Sequence, residues 1–97
     1  MRLDKYMKVS RIIKRRTVAK EVCDAGRINV NGRPAKAGTD IKVGDILNIT
    51  YGRNKLEVEV LRLAETVRTD EADSLYRIIE KVFMQEDDLR SKELIVP

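Results

Sequence analysis

The chain has no histidine, no tryptophan, one phenylalanine and one cysteine among its 97 residues. Without histidine, the commonest general base and the commonest metal-ligating side chain are both missing. No catalytic carboxylate pair, nucleophile elbow or glycine-rich phosphate loop takes its place, so the residues argue against an enzyme, a metal site and a bound cofactor. Aromatics make up 4% of the chain, too few to line an engulfing ligand pocket or to stack a run of unpaired bases. Cys23 has no partner for an internal disulfide; it reads as a small buried hydrophobe on a helix, in a reducing compartment. No apolar run is long enough to cross a bilayer, and the charge at Arg2 does not fit a signal peptide. A cytoplasmic protein with no membrane partner is therefore expected.

Charge is abundant but unevenly distributed. Residues 1–55 hold fourteen basic and five acidic side chains, net +9, whereas the rest hold six basic and eleven acidic, net −5. The modest total of +4 conceals a polarised molecule whose basic portion attracts polyanions, phosphate backbones above all.

At this length one domain with one modest core is expected. Leu3, Tyr6, Met7, Ser10 and Ile13 recur three or four apart while Lys5, Lys8 and Arg11 lie opposite, which predicts an amphipathic helix from Leu3 to Ile13. Lys14, Arg15 and Arg16 form a basic elbow before Thr17, a good N-cap. Val18, Ala19, Val22, Cys23 and Ala25 then supply the packing face of a second helix, closed by Gly26. Strand spacing follows. Arg27 to Val30 alternates, Asn31-Gly32 is the preferred type I′ hairpin pair, and Pro34 confines the return arm to a sheet edge. Ile46 to Tyr51 and Leu56 to Leu63 read as a second hairpin around Gly52 to Lys55. In its second arm Leu61 and Leu63 break the alternation, which a bulge or strand end near Val60 explains. A third helix is expected from Asp70, as N-cap, to Met84, with Ala72, Leu75, Tyr76, Ile79, Val82 and Phe83 as its apolar stripe. The chain thus divides into residues 1–63 as a basic domain, 64–84 as linker and helix, and 85–97 as an acidic, frayed tail.

The strongest local signal is Lys14-Arg15-Arg16-Thr17, with Lys20 one turn on. A helix start offers unpaired amides and partial positive charge, and arginines beside it add planar bidentate contacts to phosphate. On composition alone a solvated elbow is about as good an explanation; the clustering of Arg2, Lys5, Arg11 and Arg27 favours binding. Arg33, just after the hairpin turn, is a further candidate backbone contact. Asp4 reads as a dipole partner or as the residue that orients a nearby arginine, Asn31 as a turn former and Tyr6 as core. Tyr51 is the one aromatic considered for base stacking. Such a face suits the shape and phosphates of folded RNA. A helix-turn-helix DNA reader fits less well, since Glu21 and Asp24 on the second helix would repel the backbone and offer few base-edge contacts. An adaptor role for the acidic helix is compatible with RNA binding.

Four blocks, Arg2-Leu3-Asp4-Lys5-Tyr6, Lys14 to Lys20, Gly26 to Gly32 and Lys42-Val43-Gly44-Asp45, resemble the RNA-binding domain named for small-subunit ribosomal protein four. The resemblance covers most of residues 1–63. It implies an α+β fold with an αL-type motif, two N-terminal helices packed on a small, mainly antiparallel sheet, to which the C-terminal helix is added. It also implies that Arg2, Arg15, Arg16 and Lys20 face RNA. Free-standing members act on stalled large ribosomal subunits, as a heat-shock recycling factor or in bacterial ribosome-associated quality control. By that resemblance the expected partners are large-subunit rRNA, peptidyl-tRNA and RqcH, the factor that adds alanine tails, with this chain acting as a monomer. General binding of structured RNA in ribosome assembly is the alternative.

Overall fold

In the computed structural model, which describes residues 1–51 and 54–82, two helices and a 3-10 helix pack with a five-stranded antiparallel sheet. The side chain of Tyr51, the turn at Gly52 and Arg53, the expected helix end at Phe83 and Met84, and the acidic tail from Gln85 lie outside the described residues. Helix α1 spans Leu3–Val9 and α2 spans Arg16–Asp24. Strands β1 (Ile28–Val30), β2 (Arg33–Pro34), β3 (Ile46–Tyr51), β4 (Asn54–Val60) and β5 (Tyr76–Val82) pair in the order β2-β1-β3-β4-β5, and the 3-10 helix, Thr69–Leu75, precedes β5.

The helical hairpin is tighter than its periodicity suggests. α1 stops at Val9 because Arg11 takes a left-handed conformation, φ 60, which turns Ile12 and Ile13 back into the core, where both are fully buried. α2 begins one residue before the expected cap: Arg15, in extended conformation, is the N-cap, and Thr17 lies inside the first turn. No side chain caps the helix, so its first amides stay open at the surface. Its end follows the sequence. Gly26, at φ 76, donates to the Cys23 carbonyl at 3.0 Å, and Arg27 donates to Val22 at 3.2 Å, a Schellman arrangement that only a residue tolerant of positive φ closes cheaply.

Asn31 (φ 53) and Gly32 (φ 82) make the tip of the β1–β2 hairpin, as their pairing predicts. The Asn31 side chain donates to Asp45 at 3.0 Å and accepts from the Ile46 amide at 2.9 Å, so the tip is fastened to the start of β3. Pro34 lies on the edge strand. Along β4, Leu56, Val58 and Val60 are buried while Glu57 and Glu59 are partly exposed, and the strand ends at Val60. One buried face of the sheet meets Leu3, Tyr6 and Met7 of α1 and Ala19, Val22 and Cys23 of α2 in a continuous core.

The C-terminal helix is present but short, and it is a 3-10 helix. Its N-cap is Arg68, not Asp70, and Asp70 occupies the first turn. From Tyr76 the expected α-helix is corrected to a strand. β5 pairs with β4 from Val60↔Tyr76 to Lys55↔Val82, with a bulge that leaves Ile79 without an opposite residue. The apolar positions suit either period, because a bulged strand of Ile78, Ile79 and Val82 mimics helical spacing. The open edge of β4 decides between them, since its amides and carbonyls gain partners from a strand and none from a helix. Among the described residues of the expected stripe Ala72, Leu75 and Tyr76 are buried and Ile79 is 41% exposed, beside Ile78 at 38%.

Tyr6 links α1 to the 3-10 helix: its hydroxyl donates to the Leu75 carbonyl at 2.6 Å. That carbonyl also accepts from the Leu61 and Arg62 amides at 2.8 and 3.2 Å. Tyr6→Phe therefore removes one buried hydrogen bond without orphaning its acceptor. It should lower unfolding free energy by about 1 kcal/mol in urea titration with an unchanged slope; undiminished stability would contradict this link.

Candidate nucleic-acid interface

The start of the chain is fastened before the helix begins. The Leu3 amide donates to Thr39 at 2.8 Å, Asp4 to Ala37 at 3.1 Å, and Ile41 back to Met1 at 2.9 Å, so residues 1–4 run along the loop that follows β2. The terminal ammonium meets the Asp40 carboxylate at 2.6 Å, which holds Asp40 below its ordinary carboxyl pKa. From α2, Asp24 accepts the Ala37 amide at 3.3 Å. Arg2 thus projects from a braced backbone at the N-cap of α1, and its guanidinium lies over Gly38.

Asp4 organises the basic surface. Its side chain is 3% exposed. One oxygen accepts the Lys5 amide at 2.8 Å and Arg2 Nε at 3.2 Å; the other faces Arg16 Nε at 3.5 Å. Both guanidiniums are held through Nε, while Arg2 and Arg16 remain 56% and 51% exposed. A moored guanidinium keeps its outer nitrogens available, in the fork geometry that matches phosphate, and loses less rotamer freedom when it binds. Two cations and a backbone amide surround the carboxylate and offset the cost of burying it.

The structure places the nine sequence-predicted residues in three settings. Arg2 and Arg16 meet at Asp4; Lys14 and Arg15 are exposed in the elbow, and Lys20 is exposed one turn beyond Arg16 on α2. The open first turn of α2 lies among them. Lys5 on α1 and Arg11 in the turn after it lie toward residues 65–73. There Lys5 pairs with Glu65, and Arg11 borders small clefts of about 180 and 220 Å³, lined by Glu65 to Val67 and by Thr69, Asp70 and Asp73. Arg27 is half-buried at the α2–β1 junction, and Arg33 is exposed on edge strand β2. A shallow concavity of about 590 Å³ along α2 carries Thr17 and Lys20 together with Glu21 and Asp24. Sequence reasoning admits Asp4 as an orienter of arginine. It misses the Lys5–Glu65 pair, whose partners lie 60 residues apart, and the tether at Asp24.

A braced helical hairpin on an antiparallel sheet, with arginines gathered at the second helix's start, defines an RNA-binding domain of the S4 class. The S4 domain family matches residues 1–47. The chain is 59% identical over 78 residues to the RQC P-site tRNA stabilizing factor of Halalkalibacterium halodurans, covering 80% of this chain and 89% of that protein. It is 53% identical over 87 residues to the factor of the same name from Streptococcus pneumoniae, covering 90% and 99%. Its fold superposes on the trimeric heat shock protein 15 of Vibrio cholerae with a TM-score of 0.74 at 26% identity, over 80% of each chain. The chain belongs to the family of S4-domain proteins called RQC P-site tRNA stabilizing factors. Among the described residues no helix is long and apolar enough to cross a membrane.

Cys23, on the inner side of α2, is fully buried, and that burial raises its thiol pKa from an ordinary 9.0 to about 12. Tyr6, also buried, is raised above its ordinary 10.0. Both groups must stay protonated in the native state, whereas the unfolded chain releases their protons sooner. Their contribution is complete below about pH 9 and is lost as pH climbs toward 12. Urea midpoints measured from pH 7 to pH 11 should fall above pH 9, and less steeply in Cys23→Ala; an equal fall in both proteins would show that the thiol takes no part.

Proposed function

We propose that this protein is a non-catalytic factor that docks on large ribosomal subunits carrying peptidyl-tRNA and holds that tRNA in place during ribosome-associated quality control. RqcH brings each alanyl-tRNA, the ribosome performs the transfer, and this chain contributes position alone. The observation that carries the reading is the pair of arginines moored on Asp4 beside the open first turn of α2. In a family whose members are named for stabilising P-site tRNA, that feature is suited to the phosphates of folded RNA. Residues 1–63 supply the contacts, from Arg2, Arg15, Arg16 and Lys20 first, with Lys5, Arg11, Lys14, Arg27 and Arg33 widening the field. The factor acts in the cytoplasm as a monomer.

A second reading, recycling of stalled large subunits without tailing, draws on the likeness to heat shock protein 15. Recovery of the tagged protein from cells separates the two. Large subunits accompanied by peptidyl-tRNA and RqcH favour tailing, and subunits without RqcH favour recycling.

If about five phosphates are engaged, the logarithm of affinity for large subunits should fall against log salt with a slope of roughly −3 to −4. Arg16→Ala should weaken that binding about ten-fold, the loss of one charge-assisted contact, while circular dichroism stays unchanged. A flat salt response, or undiminished co-sedimentation of the variant, refutes electrostatic docking at the elbow.

A further inference from the structure

We propose that Glu65 is an exchangeable counter-ion, which occupies Lys5 in the free protein and yields it to an RNA phosphate on docking. The inference rests on the RNA-binding reading above and adds to it a residue that limits the strength of polyanion binding.

Two carboxylates pair with cations of the basic surface, Asp4 with Arg2 and Arg16 and Glu65 with Lys5, and they differ in one decisive respect. Asp4 is 3% exposed and cannot leave without stranding a buried charge. Glu65 pairs with the Lys5 ammonium yet is 76% exposed, so water solvates it as soon as it is displaced. The pairing also holds Glu65 below its ordinary carboxyl pKa, with Lys5 as the main cause, so it remains an anion at neutral pH. Its place beside Lys5 is fixed by the chain around it. Leu63, Ala64 and Val67 pack against the core, and the Leu61 and Arg62 amides are held by the Leu75 carbonyl. Glu65 is left outward, with Thr66, on a short span anchored inward by Leu63, Ala64 and Val67. Lys8 and Arg11 line a small cleft together with Glu65, so further cations of the basic surface stand near the Lys5–Glu65 pair.

A phosphate arriving at Lys5 exchanges one ion pair for another, and the net gain from that lysine is small while Glu65 remains. Weak, purely electrostatic encounters with arbitrary polyanions lose most of their benefit here. A folded RNA that also engages the moored arginines can displace Glu65 and still bind.

The test is a double-mutant cycle with the full chain and purified large subunits, comparing wild type, Glu65→Gln, Lys5→Met and the double variant at low and at high salt. Glu65→Gln should bind about three-fold more tightly at low salt, with the gain shrinking as salt screens it. Lys5→Met should cost more in the Glu65→Gln background than in wild type, and the double variant should show no gain. Unchanged or weaker binding by Glu65→Gln, or equal costs of Lys5→Met in both backgrounds, overturns the exchange while leaving the RNA reading intact. A wild-type protein without salt-dependent binding overturns that reading, and this inference with it.

Discussion

One carboxylate, buried where the chain enters α1, determines how the basic surface is presented. Asp4 takes the Lys5 amide and Arg2 Nε on one oxygen and faces Arg16 Nε on the other. Isolated, such a charge would be expensive to bury. Surrounded, it ties the N-cap of α1 to the first turn of α2 and leaves two guanidiniums pointing outward. The packing beneath serves the same end. Residues 1–4 are braced on residues 37–41, α2 is tethered there through Asp24, and Tyr6 fastens α1 to the 3-10 helix. Rigid backbone on three sides keeps the two arginines from spreading apart by mutual repulsion.

The charge asymmetry of the chain acquires a spatial meaning in this frame. Among the described residues, a carboxylate from the acidic portion pairs with a cation of the basic portion where Glu65 meets Lys5. The two anions near α1 therefore have different parts in the account: Asp4 fixes the cations it touches, and Glu65 restrains the cation it touches. An RNA-binding surface made only of free lysines and arginines would hold any polyanion. Fixed arginines combined with a restrained lysine favour a folded target whose phosphates match the fixed positions.

Much of the fold was legible because its signals are local. Gly26 needs positive φ, Asn31-Gly32 demands a type I′ turn, Pro34 tolerates only an edge, and the alternation through Leu56, Val58 and Val60 selects a strand. Each of these is decided by a few neighbouring residues. Tyr76 to Val82 was not legible, because a bulge at Ile79 disguises a strand as a helix and the deciding influence is the open edge of β4, far back in the sequence. The same division holds for the interface. Asp4 lies two residues from Arg2, so its service to an arginine could be read. That Arg16 would share the same carboxylate depends on the turn made by Arg11 and Ile12, which no spacing rule announces. Nor does any local pattern connect Lys5 with Glu65.

Asp4→Asn tests the central claim most directly, through its affinity for large subunits carrying peptidyl-tRNA at fixed salt. The amide keeps an acceptor for the Lys5 backbone, removes the charge that moors Arg2 and Arg16, and adds one unit to the net positive charge. If ordered arginines matter more than total charge, the variant binds more weakly than wild type while remaining folded. Tighter binding, the result that added positive charge alone would give, contradicts the account.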